Sequence, residues 1–136
     1  MPAGTTPIFV KQPDVSWSTV ITSANTAMDG TGTVLACFTA GADGSFVNRL
    51  AVRPLGTNVA SVLRVFINNG STNATATNNA LIADITLPAT TASNTASLNP
   101  IDVPLNIALP AGFKLNCTIG TSISAGVNVV AIGGDY

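Results

Sequence analysis

Apolar residues in this chain recur in short runs, and inside those runs they alternate with polar ones. In "FKLNCTIG" they fall at Phe113, Leu115, Cys117 and Ile119. In "RLAVR", Leu50 and Val52 share one side, and Arg49, Ala51 and Arg53 the other. Successive side chains of an extended backbone leave on opposite sides, so this alternation marks strands with one buried face. No stretch keeps a helical period through three turns. The pattern predicts strands over 8–11, 15–22, 33–39, 46–53, 61–68, 81–87, 101–109, 113–119 and 127–132.

The breaks between runs carry turn chemistry. "MDGTG" and "GADGS" hold Asp-Gly pairs, which accept the positive φ of tight turns. "LPAG", 109–112, sets Pro at the second turn position and ends on Gly, a close connection between its flanking strands. A longer irregular link spans 87–100. Eight or nine strands at near-regular spacing without helices mean an all-β fold, an antiparallel β-sandwich or a barrel.

"VFINNGSTNATATNNALIADITL" sets the register of one hairpin. With Val65 opposite Ala83, Leu63 meets Ile85 and Ile67 meets Leu81 on one apolar face. Arg64 then meets Asp84, and Phe66 meets Ile82, on the other face; the charged pair adds ~0.2–1 kcal/mol. Residues 69–79 form the bend. At eleven residues it exceeds the usual hairpin loop, a length found in functional loops and in disordered ones. It is expected to project as a solvated tip, with contact to a partner as the alternative.

Composition narrows what such a sandwich does. Charged residues make up 8% against about a quarter in ordinary domains, and the net charge is -1. Thr, Ser, Asn and Ala stand in their place, a surface that hydrogen-bonds but hardly repels. That suits a subunit packed against other protein; a monomer with a neutral surface is the alternative. Five basic residues against six acidic ones leave no cationic patch, so no nucleic-acid partner is expected. No run is long and apolar enough for a membrane-spanning helix, and no membrane partner is expected. "MPAGTTPIFVKQPDVSW" lacks a basic start and a signal-length apolar stretch, so synthesis in a reducing cytoplasm is expected. There the three N-x-[ST] matches, at Asn69, Asn73 and Asn116, would go unglycosylated. Cys37 and Cys117 read as buried free thiols, with a disulfide as the lesser alternative.

Catalytic chemistry finds little to work with. The chain has no histidine and no glutamate. That removes the commonest general base and a common metal ligand, so neither a Ser-His-Asp nor a Cys-His arrangement can form. The six aspartates, Asp14, Asp29, Asp43, Asp84, Asp102 and Asp135, are widely spaced and contain no calcium-loop pattern. No enzyme, metal or cofactor is expected. Sugar recognition usually uses aromatic platforms, and this chain has one Trp, one Tyr and five Phe. Trp17, in phase with Val15, reads as half-exposed, a buried or interface residue before a sugar platform. Arg49 and Arg53, about 13 Å apart on one strand face, either solvate an edge or dock the carboxylates of a neighbouring subunit. Phe46 is expected on the core side with Leu50 and Val52.

Pro2, Pro7 and Pro13 keep the N-terminus extended, which divides the chain into an arm, 1–14, and a sandwich, 15–136. Ile8, Phe9 and Val10 in that arm need burial, against their own domain or by strand addition to a partner. "IGGDY" reads as a short flexible end.

From Arg49 onward, "RLAVRPLGTNVASVLRVFINNGSTNATATNNALIADITLPATT" resembles small virion structural proteins of tailed bacteriophages, and "VPLNIALPAGFKLNCTIGTSISAGVNVVAIGGDY" continues the likeness. It covers about the last hundred residues and is carried by turns and strands, without a functional motif that maps onto positions. The resemblance to head decoration (cement) proteins implies a jelly-roll-like sandwich, often trimeric, bound to the major capsid protein on the outer surface of the virion. The rival reading is a receptor- or glycan-binding module of a tail fibre or tail tip.

Overall fold

The computed structural model describes residues 9–136. Its strands are β1 (Gln12–Trp17), β2 (Leu35–Thr39), β3 (Ser45–Pro54), β4 (Ser61–Asn68), β5 (Asn79–Leu87), β6 (Ile101–Leu109), β7 (Lys114–Ile119) and β8 (Val127–Asp135). One turn of 3-10 helix, Ala76–Asn78, interrupts the connection between β4 and β5. They form two antiparallel four-stranded sheets, ordered β1-β8-β3-β6 and β2-β7-β4-β5. Each strand of the first half pairs with its mirror in the second: β1 with β8, β2 with β7, β3 with β6, β4 with β5. That is one long ribbon, bent at the β4–β5 tip and wound around a core, the jelly-roll arrangement of a β-sandwich.

The alternation read in the sequence fills the space between the sheets. Leu50, Val52, Val129 and Ala131 enter from the first sheet, and Leu63, Val65, Leu115, Cys117 and Ile119 from the second. Turn glycines stand where expected, with Gly30, Gly44 and Gly112 at φ of 80°, 88° and 77°. "GADGS" and "LPAG" do not close hairpins, however. Each carries the chain from one sheet to the other.

Four expectations change. Ile8 lies outside the described residues, and Phe9–Lys11 form no strand. β1 begins at Gln12, inside the expected arm, and Gln12 already stands opposite Asp135. The end "IGGDY" is no free tail: β8 runs through it between β1 and β3, and the Tyr136 N–H donates to the Gly44 carbonyl. The hairpin register holds from Leu63 opposite Ile85 to Val65 opposite Ala83. A bulge at Ile82 then sets Phe66 opposite Leu81 and Ile67 opposite Ala80. A similar shift between Val47 and Arg49 brings Val47 into the core and leaves Phe46 half-buried on the outer side. One extra residue reverses the facing of everything before it.

The outer faces of the two sheets differ. The connection from β1 to β2 crosses the second sheet as a strap. At one end the Asn25 N–H donates to the Ile119 carbonyl at 2.8 Å. At the other, Asn79 Nδ2 reaches the Asp29 carbonyl at 3.1 Å, and Asn73 Nδ2 the Gly32 carbonyl at 2.8 Å. Phe66, Asn116 and Thr118 point outward from this sheet and are buried all the same, Phe66 completely. The first sheet has no such strap among the described residues.

Candidate functional site

The uncovered face of the first sheet is built in rows. Trp17 stands opposite Val130, Val130 opposite Ala51, and Ala51 opposite Asp102. In the next row come Val15, Ile132, Arg49 and Pro104. One half of the face is therefore apolar and the other charged. Trp17 is 65% exposed, and Val15 beside it is exposed as well. Past the end of β1, Val20 crowds Gly126, whose carbonyl accepts the N–H of Leu55. Val20 and Leu55, both exposed, lengthen the apolar half.

Arg49 and Arg53 share this face with Ala51, as alternation requires. They do not point apart: Arg49 Nη1 and Arg53 Nη2 converge on a single oxygen of Asp102, at 3.0 and 3.2 Å. Arg53 also donates to the Ile101 carbonyl at 3.0 Å. Their first carboxylate thus belongs to the chain itself. Two guanidinium groups on one carboxylate leave one positive charge over, in reach of solvent, where exposed pairs hold loosely. Asp102 was invisible as their partner in sequence because 49 residues separate it from Arg53.

Val10 prolongs the face beyond β1. The Val10 side chain occupies the space a Cβ on Gly134 would fill, and the Lys11 N–H donates to the Asp135 carbonyl at 2.8 Å. Val10 is thereby seated on its own domain. Phe9 is 74% exposed. The face gathers Val10, Trp17, Arg49 and Arg53, four of the six residues singled out in sequence, while Ile8 lies outside the described residues. Val130 and Ile132 join it unannounced; the parity of β8 against the core was the signal available.

The asparagine-rich tip is cross-braced. Asn69 Nδ2 donates to Asn78 Oδ1 at 3.2 Å, Asn78 Nδ2 to the Thr72 carbonyl at 2.9 Å, and Asn68 Nδ2 to Asn79 Oδ1 at 2.8 Å. Asn73 and Asn79 clamp the strap from the same tip. These side-chain amides stand in for a ladder that the bend cannot form.

Two titratable clusters remain. Cys37 and Cys117 are free, buried thiols whose sulfurs lie 3.2 Å apart. The hydrogen bond to Cys37, and then burial, push the Cys117 thiol well above its ordinary value, away from the reactive thiolate. Asp14 is raised by partial burial and then by the charge and hydrogen bond of Asp135. Among the described residues no three His, Cys, Asp or Glu side chains gather where they could share a metal ion. Comparison with known protein families, with curated proteins and with solved structures finds no match.

Proposed function

We propose that this chain is a non-enzymatic virion structural subunit, a head decoration or cement protein that binds the outside of an assembled tailed-phage capsid. The observation that carries this reading is the uncovered face of the first sheet, with Trp17 and Val15 exposed at its β1 edge and a doubly arginine-paired Asp102 at its β6 edge. An exposed aromatic anchor and arginine on one face are the composition of a docking centre. The chain's very low charge lets many copies lie close together. Attachment works by mass action: a subunit that binds the assembled lattice, and not the free capsid protein, stabilises the lattice by its differential affinity. Repetition by symmetry, with the chain itself as a homo-oligomer, a trimer in this reading, turns weak single contacts into avidity.

The test adds purified protein to expanded phage heads that lack it and measures co-sedimentation. Wild type is expected to pellet with the heads. Trp17→Asp is expected to stay in the supernatant while unfolding at the wild-type temperature, because the side chain is already solvated. Equal binding by Trp17→Asp, or no binding by wild type, overturns the proposal.

A further inference from the structure

The second sheet carries a feature that docking does not use. Between the start of β2 and the braced tip lies an open hollow of about 340 Å³. Its polar lining comes from Asn68, Ser71, Thr72 and Asn73 of the hairpin and from Lys114 and Asn116 of β7. The volume falls within the range of small-molecule sites, about 300–1,000 Å³.

Asn116 sets this hollow apart. It is only 4% exposed, and its carboxamide makes no hydrogen bond among the described residues. Two other buried asparagines, Asn58 and Asn68, are partnered at both the nitrogen and the oxygen of the amide. Asn58 donates to the Gly126 carbonyl and accepts from the N–H groups of Ala125 and Gly126. Asn68 donates to Asn79 and accepts from the Gly70 N–H. Among the described residues the sealed side-chain atoms without a partner are Ser18 Oγ, Arg64 Nε and Thr118 Oγ1, so the Asn116 amide, which lines the hollow, is open to it. Asn73, which also lines the hollow, spends its amide donors on the carbonyls of Gly30 and Gly32, and its side-chain oxygen takes no hydrogen bond among the described residues.

The charge balance of the hollow selects the ligand. Lys114 has no carboxylate within 4.0 Å among the described residues, and no acidic side chain lines the hollow. The lining also holds no aromatic ring, so the stacking that usually grips a neutral sugar is missing. What remains is one free cation among amides and hydroxyls that donate and accept. From this we infer that the hollow binds an acidic monosaccharide unit: Lys114 holds the carboxylate, and Asn116, Asn73 and the hydroxyls of Ser71 and Thr72 hold the ring hydroxyls. The braces of the tip keep these groups in place before binding, which lowers the entropy lost on binding. The hollow faces away from the docking face, and the inference stands without it.

The test is a titration of the isotope-labelled full chain, read on the backbone amide resonances of Ser71–Asn73, Lys114 and Asn116, with glucuronate as probe. Glucose, acetate and inorganic phosphate form the control arms. Glucuronate is expected to shift these amides at least tenfold more tightly than any control. Lys114→Gln should weaken it at least tenfold, in line with the loss of a charged hydrogen bond, and Lys114→Arg should retain binding. Asn116→Ala should weaken binding by a similar factor while unfolding at the wild-type temperature or above it. Equal affinity for glucose removes the role of Lys114. Equal affinity for acetate or phosphate reduces the hollow to a simple anion site. Absence of shifts, or a loss of stability in Asn116→Ala like that of a structural asparagine, overturns the proposal outright.

Discussion

Asparagine does in this chain much of what ion pairs do elsewhere. Only three ion pairs occur among the described residues, and the one between Arg64 and Asp84 is loose, at 4.0 Å. Carboxamides hold the strap, the tip and the loop before β8, because one amide offers donors and an acceptor without the desolvation of a full charge. Asn58 is the clearest case, buried with three bonds to the 125–126 loop. Asn58→Ala is expected to lower stability by about 3 kcal/mol, measured by urea unfolding, since it strands several backbone groups at once. Asp14 works in the other direction. Its raised value means the folded state holds the proton more tightly than the unfolded chain does. Stability from this group is therefore complete below the ordinary aspartate range and is lost as pH rises through the raised value. Asp14→Asn is expected to be more stable than wild type at about pH 7, with the difference closing at about pH 3, below the ordinary aspartate value of about 3.9.

At the scale of elements, every edge strand carries something that spoils further pairing. β1 contains Pro13, β6 contains Pro104 and a bulge at which Asn106 takes φ of 50°, and β2 and β5 bulge at Cys37 and Ile82. Proline removes a donor and a bulge twists the edge, so growth by strand addition is opposed on all four edges. Association through a face is what these edges leave open. The end of β8 shows how elements constrain one another. A Cβ on Gly133 would overlap the Phe46 carbonyl, and one on Gly134 would overlap the Val10 side chain. Gly134→Val is expected to unseat Val10, seen as faster amide exchange at Lys11 and Gln12, while the core amides of β7 keep their protection.

For the whole molecule, the jelly-roll winding encloses one core and seals the cysteines in it. Cys37 arrives there through its bulge and Cys117 through plain alternation. Neither thiol is expected to react with a disulfide reagent in the native protein, and both should react together at the rate of global unfolding, followed by absorbance of the released thiolate. A fast reaction of one cysteine alone would show a local opening between β2 and β7. Winding also decides what faces outward together. Trp17, Val130, Ala51 and Asp102 form one row although they come from four strands and from both halves of the chain.

How much of this was legible beforehand follows from the range of each interaction. Alternation is local, so the sequence alone determined the all-β class, seven of the eight strands to within a few residues, and the inward facing of Leu115, Cys117 and Ile119. Turn glycines were legible for the same reason, since positive φ is a demand of one residue on itself. Pairing is not local. Bulges at Cys37, Asn48 and Ile82 shifted registers that alternation had set, because one inserted residue follows from the fit of two sheets and leaves no mark in one strand. "IGGDY" read as a loose end, since glycine's absent side chain looks the same whether it frees a chain or lets two others approach. The arginine pair on Asp102, the strap over Phe66 and the unpartnered Asn116 were decided by tertiary structure alone, where residues far apart in the chain compete for the same few hydrogen-bonding groups.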